Sequence, residues 1–190
     1  MTRRALLLAA LTLISAPLRA QADQLDQLMA LFAARRHGRA SFIEQQFLHV
    51  LKRPVESRGE LIYDAPNHLE KRTIEPRVET LTIDGDSLIT ERGGHRHVVN
   101  LRDYPQIQPF AAALCATLGG DRAQLQRSFH LDLSGDVNRW TLSLTPLEAR
   151  AASLVREIAI SGAGDDLLRV DILQADGDRS LMTLRPFTDR

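Results

Sequence analysis

Between Arg58 and Leu101 the sequence divides into short apolar or alternating runs, Arg58–Asp64, Leu69–Ile74, Val78–Ile83, Ser87–Arg92 and His95–Leu101. Turn residues fill every gap: Ala65-Pro66-Asn67, Glu75-Pro76-Arg77, Asp84-Gly85-Asp86 and Gly93-Gly94. Runs this short, punctuated this regularly, read as an antiparallel meander, with Asp84-Gly85 as a strong hairpin signal. Similar runs resume at Phe129–Leu133, Trp140–Thr145, Leu154–Ser161, Leu167–Leu173 and Arg179–Leu184, the last two joined by Asp176-Gly177-Asp178. Arg39–Leu51 precedes them all as a long strand, with Glu44-Gln45-Gln46 on a wet face. About ten strands are expected.

Two interruptions have helical spacing instead. Leu25, Leu28, Met29 and Phe32 fall at i, i+3, i+4 and i+7, which predicts a helix over Asp23–Arg36 with a basic last turn, stopped by Gly38. In mid-chain, Ile107, Phe110, Ala111, Leu114, Cys115 and Leu118 share a stripe that ends at Gly119-Gly120, and Asp121 can cap a second short helix. The expected class is therefore mainly β (α+β), a single curled antiparallel sheet whose one apolar face has to be covered. Helices filling the concave side tightly would make a scaffold, whereas a loose lid would leave an apolar pocket.

The first residues carry an address. Arg3 and Arg4, the apolar run Ala5–Ile14 and the small-x-small sequence Ala20-Gln21-Ala22 have the order of a signal peptide. The run is shorter than the roughly 20 apolar residues that span a bilayer. Cleavage after Ala22 would leave residues 23–190 as one domain, exported from the cytoplasm. With no cysteine at the cut, a lipid anchor there is not expected. Loss of Arg3, Arg4 and Arg19 turns 24 basic and 24 acidic residues into 21 and 24, a net charge of −3. Nothing in that balance favours nucleic acid.

Motifs for catalysis are missing. The sequence contains no Gly-x-Ser-x-Gly elbow, Walker loop, dinucleotide fingerprint or His-Glu-x-x-His. His95 and His97 would share one face of a strand, but two histidines beside a Gly-Gly turn are more often solvated than zinc ligands. The Asp84/Asp86 and Asp176/Asp178 pairs suit turn geometry, and Cys115 lies on an apolar helical stripe. An enzyme is not expected, nor a metal or a cofactor.

Several segments, in order, do carry a resemblance. Arg39-Ala40-Ser41-Phe42-Ile43-Glu44-Gln45, after an amphipathic helix, resembles the first strand of the LolA lipoprotein carriers. Gly59-Glu60-Leu61-Ile62-Tyr63-Asp64-Ala65-Pro66-Asn67-His68-Leu69 is similar to that family's next strand and proline turn. Thr73-Ile74-Glu75-Pro76 and Leu81-Thr82-Ile83-Asp84-Gly85-Asp86-Ser87-Leu88 continue the match, which is good over Leu25 to Leu88 and beyond that follows element order alone.

The resemblance implies an incomplete β-barrel with helices across its opening. Its members carry acyl chains of lipoproteins through the periplasm, from an inner-membrane transporter to an outer-membrane acceptor. The implied cavity wall is Phe42, Leu61, Tyr63, Leu69, Leu81, Leu88, Trp140, Leu142 and Leu144. Ile107, Phe110, Leu114 and Leu118 would form the inner stripe of the lid. Well-studied carriers have an arginine before the turn proline that holds the lid. Here that position is Ala65, and Arg72 or Lys71 from the following strand is the candidate substitute. That departure opens the cargo to glycolipids and other acylated molecules. A lipid-sensing or interaction module on the same fold is the alternative function, and a monomer is expected.

Overall fold

The computed structural model describes the backbone of residues 16–187 and the side chains of residues 23–187. Most of the predicted signal peptide therefore lies outside the described residues. A helix α1 spans Ala16–Ala34, beginning before the predicted cut and ending short of Arg35-Arg36. The expected basic last turn is thus displaced. Arg35 turns away to the loop at Asp165 and Asp166, and Gly38 is already inside the first strand.

Strands β1 (His37–Phe47), β2 (Val55–Asp64), β3 (His68–Glu75), β4 (Glu79–Asp84), β5 (Ser87–Arg92) and β6 (His95–Asn100) form the first meander. Strands β7 (Phe129–Asp136), β8 (Arg139–Pro146), β9 (Val155–Ala163), β10 (Asp166–Gln174) and β11 (Arg179–Pro186) form the second. One antiparallel sheet of 11 strands results, in the order β6-β5-β4-β3-β2-β1-β11-β10-β9-β8-β7. The β1–β11 ladder, from Ala40 opposite Pro186 to Phe47 opposite Arg179, joins the two meanders at the centre. β6 and β7 are left as edges, so the sheet curls without closing. The first strand is shorter than expected because Leu51 N–H bonds back to the Leu48 carbonyl and turns the chain.

The sequence joining the two edge strands must cross the open side, and there it is helical. After a 3-10 turn (Leu101–Asp103), α2 (Gln108–Leu118) and α3 (Arg122–Ser128) cover the concave face. Asp121 caps α3 by accepting the Gln124 N–H at 2.8 Å. A fourth short helix, α4 (Ala149–Ala152), occupies the segment after β8 whose sequence is ambiguous. Inside, α1 contributes Leu25, Leu28, Met29 and Phe32 to one core with Trp140, Leu142, Leu144, Ile158, Ile160 and Val170.

Two glycines permit the closest approaches. At Gly162 a Cβ would lie 2.6 Å from Trp140 Cζ2 and 2.0 Å from the Asp166 carbonyl, so only glycine leaves room for the indole. Gly120 has φ +66°, and a Cβ there would meet the Met29 carbonyl at 2.2 Å. The end of α2 therefore rests directly on the backbone of α1.

Candidate functional site

Helices α1 and α2 both end at the same side of the sheet, and the space they leave there is apolar. Phe32, Ala40, Leu61, Tyr63, Leu118, Leu167 and Leu184 line a cavity of about 40 Å³ between the helix ends and strands β1, β2, β10 and β11. That is room for about three waters or a few methylene groups. A second, wider opening of about 350 Å³ lies between α2 and the β4–β5 turn, lined by Asn67, Ile83, Leu101, Gln108, Ala111 and Cys115 among others.

Each closing element has its own fastening. The α1 end is held by Phe32 edge-on to Trp140, with ring centroids 5.6 Å apart. It is held again by Arg35, whose Nη1 donates to the Asp165 carbonyl at 3.0 Å and to Asp166 Oδ1 at 2.9 Å. The indole in turn donates to the Gly164 carbonyl at 2.9 Å. At the α2 end, the Tyr63 hydroxyl donates to the Pro66 carbonyl at 3.2 Å and lies 3.3 Å from where a Gly119 Cβ would stand. Burial, with Cys115 beside it, pushes the phenol above its ordinary value of 10, so it remains a donor.

The α2 lid itself is built from small residues. Pro109, Ala111, Ala113, Leu114, Ala116 and Thr117 are its buried positions, and Leu114 is the one large side chain among them. Ile107, Phe110 and Leu118, expected on the inner stripe, are half-buried and pack on the rim of the core. The helix has turned so that its small side chains approach the sheet and α1 most closely. Thr117 Oγ1 is fully buried and has no hydrogen-bond partner among the described residues. An unmet buried hydroxyl of this kind costs about 1–3 kcal/mol.

Away from the mouth the concave face turns polar. Glu44, expected on the wet face, is instead 5% exposed, because strand alternation puts it on the side of Phe42. Its carboxylate pairs with Lys71, accepts from Ser180 Oγ at 2.7 Å and accepts from Ser57 Oγ at 3.2 Å. Burial pushes the carboxyl up, but Lys71, with the Ser180 hydroxyl and the Gln46 side chain, outweighs it and holds it below its ordinary value. The Lys71 ammonium also lies 5.2 Å from the centroid of the Phe42 ring. A polar cleft of about 280 Å³ opens beside this pair, bounded by Gln46, Thr73, Arg77, Glu79 and Leu81.

The matching family model is that of the outer membrane lipoprotein carrier protein LolA-like proteins, over residues 15–185. The chain belongs to this family.

Among solved structures, a LolA superfamily protein from Nitrosomonas europaea is 10% identical, with a TM-score of 0.49 over 90% of this chain and 94% of that one. The Mycobacterium tuberculosis lipoprotein LppX is 9% identical, with a TM-score of 0.48 over 90% and 95%. MucB in its Pseudomonas aeruginosa complex with MucA is 13% identical, with a TM-score of 0.47 over 90% and 58%. No curated protein matches the sequence. Among the described residues, no helix is long and apolar enough to cross a membrane.

Within this LolA-like chain the predicted wall residues all face the concave side, but they serve different neighbours. Leu61 and Tyr63 line the apolar cavity. Trp140, Leu142 and Leu144 are buried in the core that α1 fills, while Leu69 and Leu88 are buried in the first meander. Phe42 lies beneath Lys71, and Leu81 is half-buried on the polar cleft. Arg72 is not in a position to hold the lid. Its guanidinium pairs with Glu70 on the convex face, since its strand neighbour Lys71 takes the concave side. Tyr63 is the side chain whose polar atom lies against the end of α2. It was legible as a wall residue, but its hydroxyl contact depends on the fold of the Ala65-Pro66 turn.

His95 and His97 are exposed on the edge strand β6. Among the described residues, no three His, Cys, Asp or Glu side chains are grouped to hold a metal ion. Cys115 is half-buried, and burial pushes its thiol up to about 11, so it is protonated at neutral pH.

Proposed function

We propose that this LolA-like protein is a periplasmic carrier that binds the acyl chains of lipoproteins or related lipids between its sheet and its helices, and shuttles them from the inner to the outer membrane. The observation that carries this reading is the apolar cavity bounded by the ends of α1 and α2 and by strands β1, β2, β10 and β11. An acyl chain left in water costs about 0.8 kcal/mol per methylene, on the order of 10 kcal/mol for a long one. The 40 Å³ apolar cavity cannot cover it, so loading through this mouth requires α2, the end of α1, or both to move off the sheet. The lid is suited to that. Alanine buries far less area than leucine, so apart from Leu114 and the half-buried Ile107, Phe110 and Leu118, displacing α2 forfeits little burial, and it frees the Thr117 hydroxyl.

Donor and acceptor are an inner-membrane transporter and an outer-membrane protein in this reading, with residues 1–22 as the export signal. Native mass spectrometry of the protein recovered from its own periplasm tests it by naming a co-purifying acylated molecule. Transfer of a labelled acyl chain between donor and acceptor vesicles tests delivery. A bound lipid without transfer would make the protein a sensor, and no lipid at all would remove the reading.

A further inference from the structure

The end of the first meander remote from the helical mouth carries an exposed group that neither the cavity nor the lid explains. In the β1–β2 loop Val50 is 73% exposed and Leu51 48%. In the adjacent β3–β4 turn Val78 is 73% exposed. Lys52 and Arg53 follow the first pair directly, and Arg77 precedes Val78. The two tips are neighbours: Gln46 and Val55 at the foot of one, and Pro76 and Arg77 of the other, line the same polar cleft. Phe47 and Val55, at the foot of the loop, are also exposed.

The charges around these tips lean positive: Lys52, Arg53 and Arg77 stand against Glu56, which accepts from Gln45 Nε2 at 3.3 Å, and Asp176, which accepts the Asp178 N–H at 3.0 Å. Glu75 is engaged by Arg58, Glu79 by Arg92 and Asp178 by His49. Among the described residues, Lys52, Arg53 and Arg77 have no ion-pair partner, although they are the cations nearest the apolar tips. Apolar side chains at the extreme tip with cations just behind them match one surface in particular. A bilayer places anionic head groups outside hydrocarbon, so the cations meet phosphates as the valines and leucine pass between them.

We infer that the β1–β2 loop and the β3–β4 turn form a docking surface for the anionic face of a lipid bilayer. The mouth at the opposite end stays in water when these tips are seated. The contact is peripheral and reversible, since three aliphatic tips cannot anchor the protein.

The test is flotation of the full chain with vesicles of phosphatidylcholine alone, or with a third of the lipid replaced by phosphatidylglycerol. Wild type and variants share the same apolar N-terminal run, so differences between them report the tips. Lys52→Ser with Arg53→Ser is expected to lower partitioning on the anionic vesicles by on the order of twenty-fold, about five-fold for each charge. Val50→Ser with Leu51→Ser is expected to lower it by about tenfold through lost apolar insertion. Raising salt to about 0.5 M is expected to abolish the preference for anionic vesicles. Variants that float like wild type, or equal binding to both vesicle types, would overturn the inference. Binding of a soluble fluorescent fatty acid, measured on the same samples, separates this result from the carrier reading. The loop variants are expected to keep it, and its absence from wild type would count against the carrier reading alone.

Discussion

Glu44 and Lys71 meet across β2 on the concave face of the sheet, one strand layer beyond the apolar cavity. Both Glu44 oxygens are also engaged by serine hydroxyls, so the pair sits in a place built to receive it. Removing one partner from such a site leaves an uncompensated buried charge, whereas removing both leaves none. Lys71→Met is therefore expected to cost about 3 kcal/mol in urea unfolding, and Glu44→Gln with Lys71→Met is expected to recover most of that loss. A double variant as unstable as the single one would show that the ammonium acts through packing on Phe42 instead.

The same pair sets an acid limit. The native Glu44 carboxyl lies below its ordinary value of 4.5. The unfolded chain therefore takes up its proton first, and the stabilisation is fully present above that value. It declines as the pH falls through about 4.5 toward the native value. Urea midpoints measured from pH 6 to pH 3 are expected to fall more steeply for wild type than for the Glu44→Gln, Lys71→Met double variant. Parallel curves would place the acid sensitivity elsewhere.

How much of this was legible in the sequence depends on how far apart the deciding residues are. Asp84-Gly85, Gly93-Gly94 and Asp176-Gly177 end strands through local backbone geometry, so the meanders were readable from short windows. Glu44 was misread because three polar residues in a row look like a wet stretch. Period-two alternation from Phe42 points it inward, but the lysine that makes burial tolerable is on another strand. Arg35 likewise looks like a helix-terminal charge until the loop at Asp165 and Asp166 arrives from the far end of the chain. The rotation of α2 was hidden for a further reason. Large apolar residues mark a helix stripe in sequence, but here the tightest packing falls on alanines, which carry a weaker signal. Arg72 and Lys71 could not be told apart until the register of β3 put one on each face.

Leu114 is the large side chain by which the lid grips the core. Leu114→Glu puts an unpartnered carboxyl on the inner, apolar face of α2, against which an acyl chain would have to pack. Binding of a fluorescent fatty acid is expected to fall below detection while the far-ultraviolet circular dichroism of the sheet survives. Retention of full binding would mean that acyl chains do not enter beneath α2.

Tyr63 and Pro66 offer a milder probe. Tyr63→Phe keeps the ring in the cavity wall and removes only the hydroxyl that donates to the Pro66 carbonyl. The loss of one such hydrogen bond is expected to cost about 1 kcal/mol. If the bond helps to keep the lid seated, hydrogen exchange at the end of α2 is expected to accelerate about five-fold, with β8 and β9 unchanged. Uniform acceleration across the sheet would make Tyr63 an ordinary core residue.

Thr117 separates stability from opening most directly. Its hydroxyl is buried without a partner in the closed form, and any movement of α2 off the core gives it water. The hydroxyl therefore favours the open state over the closed one by part of its desolvation cost. Thr117→Val has the same shape and no group to desolvate. It is expected to stabilise the closed protein by about 1 kcal/mol and to weaken acyl-chain binding about five-fold, because a ligand that needs the open form now draws on a smaller population of it. The two effects must have opposite signs and similar size, which thermal unfolding and a fatty-acid titration on the same sample can establish. A variant that gains stability without losing affinity would show that loading does not pass through displacement of α2. One that loses stability would show that the hydroxyl is satisfied after all.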